Sequence, residues 1–401
     1  MGTARALHFQ GFNKALSMDF VPGLQGVPAA QSAISYLDGQ AGLLTYRGYR
    51  IVDLAQQSTF EETAWVLIHG DLPTALELAE FDAELRRNRR VKYNVRDIMK
   101  FLPIDGHPME ALQTCVASLG MFYPGQERMT ANGVNADSEF VEQMIVKILS
   151  SMSTLVAMWE HIRKGDDPVA PRADLSYAEN FLYMMTEREP DPIEARIMDA
   201  CLILHAEHTL NASTFASLVC GSTLAPPNLV VASAIGTLAG PLHGGANQRV
   251  LAMLDEIGSV ENVTPWLEQK LANKEVIWGF GHREYKVKDP RADILQGLLE
   301  QLREHRGGQL SPLYEIAREL ETQAAEHLAG KGVYPNVDFY SGLLYAELGI
   351  PRDQFTPIFA ISRTAGWLAH WKEQIANNRI YRPTQVYVGE SPREYRSIGS
   401  R

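Results

Sequence analysis

The run Gly240, Pro241, Leu242, His243, Gly244, Gly245, Ala246, Asn247 constrains this chain more than any other stretch. Pro241 cannot extend the apolar segment before it, and the paired glycines let the backbone turn sharply and approach a ligand closely. From Ala246 to Ile257 the apolar residues return at helical spacing, so His243 is expected at a helix start. Free backbone N–H groups and the positive end of a helix dipole would hold the imidazole neutral there, able to donate a hydrogen bond to a carbonyl. Read alone, the motif suits equally well a histidine that caps a buried helix beneath a glycine turn.

Two later stretches change that balance. Gly279, Phe280, Gly281, His282 followed by Asp289, Pro290, Arg291 sets a second histidine beside glycines, with an arginine close behind. Tyr334, Pro335, Asn336, Val337, Asp338 puts a carboxylate in a rigid segment just ahead of another helix. Two histidines, an aspartate and an arginine on turns punctuated by Gly and Pro form a pattern suited to proton transfer on a carbonyl substrate.

At 401 residues and 45% hydrophobic, the chain can bury a large core and is expected to divide into two domains. A net charge of -11 argues against nucleic acid or an anionic membrane as the main partner, so an anionic ligand must be held by local arginines. Cys115, Cys201 and Cys220 form no CxxC and lie in apolar helical contexts, which reads as reduced, buried side chains in a cytoplasmic protein. No apolar run reads as long enough to cross a bilayer. Residues 1–17 lack acids and carry Arg5 and Lys14; they read as a leader or tag, with a transit peptide as the alternative, and are set aside from fold reasoning.

The fold class reads as all-α with one short N-terminal β-hairpin, signalled between Ile34 and Tyr49 by Asp38 and Gly39 between apolar segments. Thr59 with Glu62 and Thr74 with Glu77 look like capping boxes, and Gly70 closes the first of those helices, with His69 as a local cap. The run Arg86, Arg87, Asn88, Arg89, Arg90 reads as a solvated helix end, and His107 before Pro108 as ordinary capping. Pro192 opens a helix expected to carry both His205 and His208. Their spacing is one residue short of HExxH, so no metal site is assigned; one of the pair reads as a core histidine and the other as facing the cleft of His243. His305 and His327 read as solvated. Arg363, flanked by Phe359, Ala360, Ile361 and Trp367, stands out because burying a guanidinium without a partner is costly.

Taken in order, the motifs at Gly240–Asn247, Gly279–Arg291 and Tyr334–Gly342 resemble those of the citrate synthase family. The similarity extends over nearly the whole chain after Met18, including the hairpin and the segment from Ser362 to Val388. The resemblance implies a homodimer or higher homo-oligomer of nearly all-helical subunits. Residues 18–243 and 351–401 would form a large helical domain, and residues 244–350 a small domain closing over the active-site cleft. It implies condensation of acetyl-CoA with oxaloacetate and hydrolysis of citryl-CoA to citrate and CoA, with no tightly bound cofactor and no metal.

Carried over position by position, the resemblance makes His243 the donor to the acetyl-CoA carbonyl, Asp338 the base for the methyl proton and His282 the group acting on the oxaloacetate ketone. Arg291, Arg363 and Arg382 would hold the dicarboxylate, Arg382 reaching the neighbouring subunit's site, and His208 would contact oxaloacetate. Lys286 and Lys331 match basic positions that meet CoA phosphates, with an exposed surface charge as the alternative for each. Val276, Ile277, Trp278, Gly279 and Phe280 match a backbone segment lining the adenine pocket. Glu284 departs from the apolar residue common in relatives; it either disturbs His282 and CoA or faces solvent. A 2-methylcitrate synthase using propionyl-CoA carries the same catalytic groups, since one methylene changes discrimination by only about 1–3 kcal/mol. A non-catalytic binding protein of the same fold is the alternative from another class. No NADH-type allosteric control is expected, as no additional N-terminal regulatory domain is evident.

Overall fold

The computed structural model describes residues 20–123, 128–130, 132–390 and 392–401. Helical periodicity becomes helix along most of the chain: α1 (Ile51–Gln57), α2 (Phe60–His69), α3 (Ala75–Asn88), α4 (Tyr93–Lys100), α5 (Pro108–Phe122), α6 (Glu139–Lys164), α7 (Tyr177–Thr186) and α8 (Pro192–His205) come first. They are followed by α9 (Ala212–Ser222), α10 (Pro227–Leu238), α11 (Ala246–Ile257), α12 (Val263–Ala272), α13 (Pro290–His305), α14 (Pro312–Leu328), α15 (Val337–Glu347) and α16 (Phe355–Ala376). The fold is all-α, as the sequence reads. The described residues between Ser32 and Ile380 form one compact unit, and those of the two terminal segments, 20–31 and 381–401, form another. The leader assigned to residues 1–17 lies outside the described residues.

The expected hairpin is the first part of a small antiparallel sheet of β1 (Ser35–Asp38), β2 (Leu43–Tyr46) and β3 (Tyr49–Arg50). Asp38 pairs with Leu43, so the connection is longer than a two-residue Asp-Gly turn. The Asp38 carboxylate closes it by accepting from the backbone N–H groups of Gln40 at 2.9 Å and Ala41 at 3.0 Å.

Capping follows the sequence, with two adjustments. Thr74 and Glu77 form a reciprocal capping box, whereas Thr59 makes only its half of one, accepting from Glu62 N. The basic run ending α3 is solvated only in part: Arg87 and Arg90 are exposed, but Arg86 and Arg89 turn inward. Arg89 is 1% exposed and donates to the carbonyls of Arg172 and Leu175, and Arg86 donates to those of Ala173 and Leu175. These carbonyls belong to a loop with no ladder of its own, and guanidinium forks supply the missing donors.

The core is built around α16, which packs against α2, α6, α8, α9 and α10. Trp159, Trp367 and Trp371 are among its largest fully buried side chains. Gly366 allows the closest approach, since a methyl group there would run into the Ala206 carbonyl and the Glu207 carboxylate. Contrary to the sequence reading, α6 is long and apolar enough by length and composition to cross a bilayer. With 83% of its apolar window buried inside the protein, it is instead a helix of the core. Cys115 and Cys201 are buried free thiols, while Cys220 is only half-buried.

Candidate active site

The second and third motifs are zipped together. Gly281 N donates to Tyr334 O at 2.8 Å, Asn336 N donates to Gly279 O at 2.8 Å, and Phe280 and Pro335 form an antiparallel bridge. The Asn336 side chain donates to Gly281 O at 2.9 Å and accepts from Asp338 N at 3.0 Å, capping α15. His282 and Asp338, 56 positions apart in the sequence numbering, therefore leave the same pair of bonded segments. Gly279 is required where it stands: its φ is +82°, and a side chain would press on Val250 and Phe339.

His243 sits in a turn closed by its own N–H on Gly240 O at 2.9 Å, and α11 begins only at Ala246 with Gly245 as its cap. The helix start that engages the imidazole belongs to α9. Ser213 N, in the first turn of α9, donates to His243 Nε2 at 3.2 Å, and Ser213 Oγ lies 2.8 Å from the same atom. A backbone N–H can only donate, so Nε2 is an acceptor and the neutral ring carries its proton on Nδ1. Ser213 Oγ is held in turn by Asn211 Oδ1 at 2.8 Å and by Trp367 Nε1 at 3.2 Å. Burial, then the nearby Arg363 and Arg283, push His243 down to about 4. It is thus neutral near pH 7, chiefly through desolvation rather than through the dipole of its own helix.

His282 has the complementary arrangement. The backbone N–H groups of Glu284 and Tyr285 donate to Nδ1 at 3.1 and 3.2 Å, leaving the proton on Nε2. Burial, then Arg291, lower it to about 4. Glu284 contributes its backbone and is itself exposed, which is the solvent-facing reading of that departure.

His208 and His282 meet edge to face with centroids 5.2 Å apart, and Tyr285 packs against both rings. Burial, then Arg291, hold His208 well below its ordinary value. His208 is not on the helix that carries His205, because α8 ends at His205. The reason lies in distant side chains. The Tyr46 hydroxyl donates to Ile203 O at 3.2 Å and Glu207 O at 2.8 Å, and Arg363 Nε donates to His205 O at 2.7 Å. Those groups take the last carbonyls and turn the chain out of the helix. His205 is fully buried, with Nδ1 2.7 Å from Cys201 O. Outside this cluster, His305 and His327 are exposed, as expected, and His305 meets Asp191 at 3.2 Å on the surface.

The arginines differ. Arg291, 3% exposed, is gripped by Asp289, which accepts from Nε at 3.1 Å and from Nη2 at 2.8 Å. Arg363, 2% exposed, has no ion-pair partner among the described residues; its guanidinium lies 4.7 Å from the Phe359 ring centroid. Burial lowers it to about 10, partly offset by Glu207. Arg382 belongs to the terminal unit, is exposed and donates to Pro383 O at 3.4 Å. The Asp338 carboxyl is pushed up to about 6 by burial, against the pull of Arg291 and Arg363. Arg363 acts on His243, His208 and Asp338, and Arg291 on His208, His282 and Asp338, so two cations share one neighbourhood with all three histidines and the carboxylate.

Of the other positions singled out, Lys286 and Lys331 are exposed, and Ile277 is buried in the core. Val276 and Trp278 line a separate cavity of ≈ 330 Å³ with Arg249, Trp266 and Lys270, and Arg249 stacks 4.3 Å over Trp278. Ser213 and Glu207 carry no signal of a role of their own in the sequence, and Asp289, part of the second motif, gains its role as the partner of Arg291 only in the fold. Glu207 is fully buried and accepts from Ser35 Oγ at 3.0 Å, with His370 Nε2 at 3.1 Å. Asn211 as a helix cap was the one local signal that could have pointed to Ser213.

The family described as "Citrate synthase, C-terminal domain" matches residues 23–384. A citrate synthase of Acidithiobacillus ferridurans is 59% identical over 383 residues, covering 96% of this chain and 99% of the relative. The crystal structure of citrate synthase from Pyrobaculum aerophilum superposes with a TM-score of 0.90 at 38% identity, covering 95% of each chain. A ternary complex of carboxymethyl coenzyme A and oxaloacetate with citrate synthase from Thermoplasma acidophilum gives 0.85 at 31% identity, covering 94% of this chain and 98% of that one. On sequence and fold together, the chain belongs to the citrate synthase family.

Proposed function

We propose that this chain, acting as a citrate synthase, joins the methyl carbon of acetyl-CoA to the ketone carbon of oxaloacetate and hydrolyses the citryl thioester to citrate and CoA. The observation that carries the reading is that Arg363 acts on both a neutral His243, its Nδ1 proton free of protein acceptors among the described residues, and an Asp338 carboxyl that burial pushes up to about 6. Such a carboxylate is ionised at neutral pH yet basic enough to take a proton from carbon. Asp338 removes a methyl proton while His243 Nδ1–H stabilises the oxygen of the enol. The enol carbon attacks the ketone, whose oxygen receives a proton from His282 Nε2. Water then cleaves the thioester: a proton of the attacking water restores His282, and the proton taken up by Asp338 goes to the departing sulfur, so CoA leaves as the thiol.

Arg363 and Arg291, with His208 alongside, hold the dicarboxylate. The unpaired fork of Arg363 suits a carboxylate in bidentate fashion. Arg382 completes the neighbouring site of a homodimer; in support, the terminal unit leaves Val388 91% and Ile398 81% exposed, an apolar surface suited to a second copy. Residues 244–350 move as a small domain over residues 18–243 and 351–401, excluding water during condensation. The segment from Val276 to Phe280, with Lys286 and Lys331, receives CoA, and the enzyme works in the cytoplasm. The test is release of free CoA from acetyl-CoA and from propionyl-CoA with oxaloacetate. Preference for acetyl-CoA is expected; preference for propionyl-CoA would make the product 2-methylcitrate, and no release from either would end the reading.

A further inference from the structure

The small N-terminal sheet touches both segments that carry the paired histidines. At one end, Ser35 Oγ donates to Glu207 Oε1 at 3.0 Å and accepts from Thr209 N at 3.2 Å, bracketing His208. At the other end, Gly39 O accepts from Lys286 N at 2.9 Å, one residue beyond the two N–H groups that fix His282 Nδ1. The approach there is so close that any side chain on Gly39 would strike the Glu284 carbonyl. Gly42, at φ +64°, leaves 2.8 Å between an added methyl group and Val287 Cγ2. By contrast Gly48, in the same sheet at φ +91°, faces open space.

We propose that this sheet is a positioning element of the reaction: its tip at Gly39 and Gly42 sets the turn that presents His282, while Ser35 at its base sets the segment presenting His208. None of these residues touches the reacting atoms. They act by fixing the spacing and orientation of two rings whose centroids lie 5.2 Å apart. This inference rests on the assignment of His282 to the oxaloacetate ketone, which is tested separately by His282→Asn. Wild-type turnover in that variant would overturn the assignment whatever the glycine variants do.

The experiment compares Gly39→Ala, Gly42→Ala and Gly48→Ala by steady-state kinetics, pH profile and thermal stability. Displacing the His282 turn by about 1 Å is expected to lower kcat on the order of 100-fold in Gly39→Ala, with KM for acetyl-CoA unchanged. Loosening the turn also wets the ring and removes donors from Nδ1, so its protonation moves up towards that of Asp338. The acid limb should then steepen from one proton to two. Gly42→Ala should lose activity and regain part of it in Gly42→Ala/Val287→Ala, which removes the clash with Val287 but not the strain of alanine at φ +64°; the pair decides the matter even if Gly39→Ala fails to fold. Gly48→Ala should lose stability but keep kcat. Wild-type kcat and pH profile in a folded Gly39→Ala, equal loss in Gly48→Ala, or no recovery with Val287→Ala would each overturn the proposal.

Discussion

Replacing Arg363 with methionine should make the empty protein more stable and the oxaloacetate complex weaker. The guanidinium is 2% exposed, makes a single hydrogen bond, to His205 O, and has no ion-pair partner among the described residues. Burial lowers its pKa well below the ordinary guanidinium value, to about 10, and at about 1.4 kcal/mol per unit the charged form is disfavoured in the fold by roughly 3 kcal/mol. The sign follows from a base depressed on folding: the penalty is fully present below about pH 10 and vanishes only where the free guanidinium would itself lose its proton, so it applies in full at neutral pH. Methionine forfeits the bond to His205 O and the contact with Phe359, about 1 kcal/mol each, which leaves a net gain of about 1 kcal/mol. Loss of the carboxylate partner should weaken oxaloacetate by about 3 kcal/mol, near 150-fold. Urea denaturation at pH 7 without ligand and the thermal shift produced by oxaloacetate measure the two effects. A ligand-free Arg363→Met protein destabilised by more than about 2 kcal/mol, or one that binds oxaloacetate as wild type does, would refute the reasoning.

Two further outcomes follow. The acid limb of kcat/KM should lie near pH 6, set by protonation of Asp338, with a slope of one proton, because His243 and His282 titrate nearer 4; a limb centred near 4 would contradict the burial argument. Ser213→Ala keeps the backbone N–H on His243 Nε2 and loses only the hydroxyl. It should therefore lower kcat by less than about tenfold without moving the acid limb, corresponding to one neutral hydrogen bond; a far larger loss would show that the hydroxyl, not the backbone, sets the tautomer.

What was legible in the sequence was local. Gly279, Gly281, Pro335 and Asn336 announce tight turns because only certain residues tolerate such backbones, and those turns carry His282 and Asp338. Capping residues announce most helix starts for the same reason. What was not legible depends on partners far away in the chain. α8 reads as continuing to His208, yet it stops at His205 because Tyr46 and Arg363 capture its final carbonyls. Arg89 reads as solvated because nothing near it in sequence reveals that the carbonyls of Arg172 and Leu175 wait for a donor. His243 was expected to be neutral on account of its own helix. It is neutral, but through burial, and the helix start at its ring is the one at Ser213.

The central claim is that an ionised Asp338 takes the methyl proton while the dicarboxylate is bound independently by the arginines. Its most direct test is the release of CoA from acetyl-CoA and oxaloacetate by Asp338→Asn, with the oxaloacetate thermal shift measured on the same protein. Turnover should fall by about 1,000-fold, as for loss of a general base, with the thermal shift retained. Turnover within a few-fold of wild type would contradict the claim.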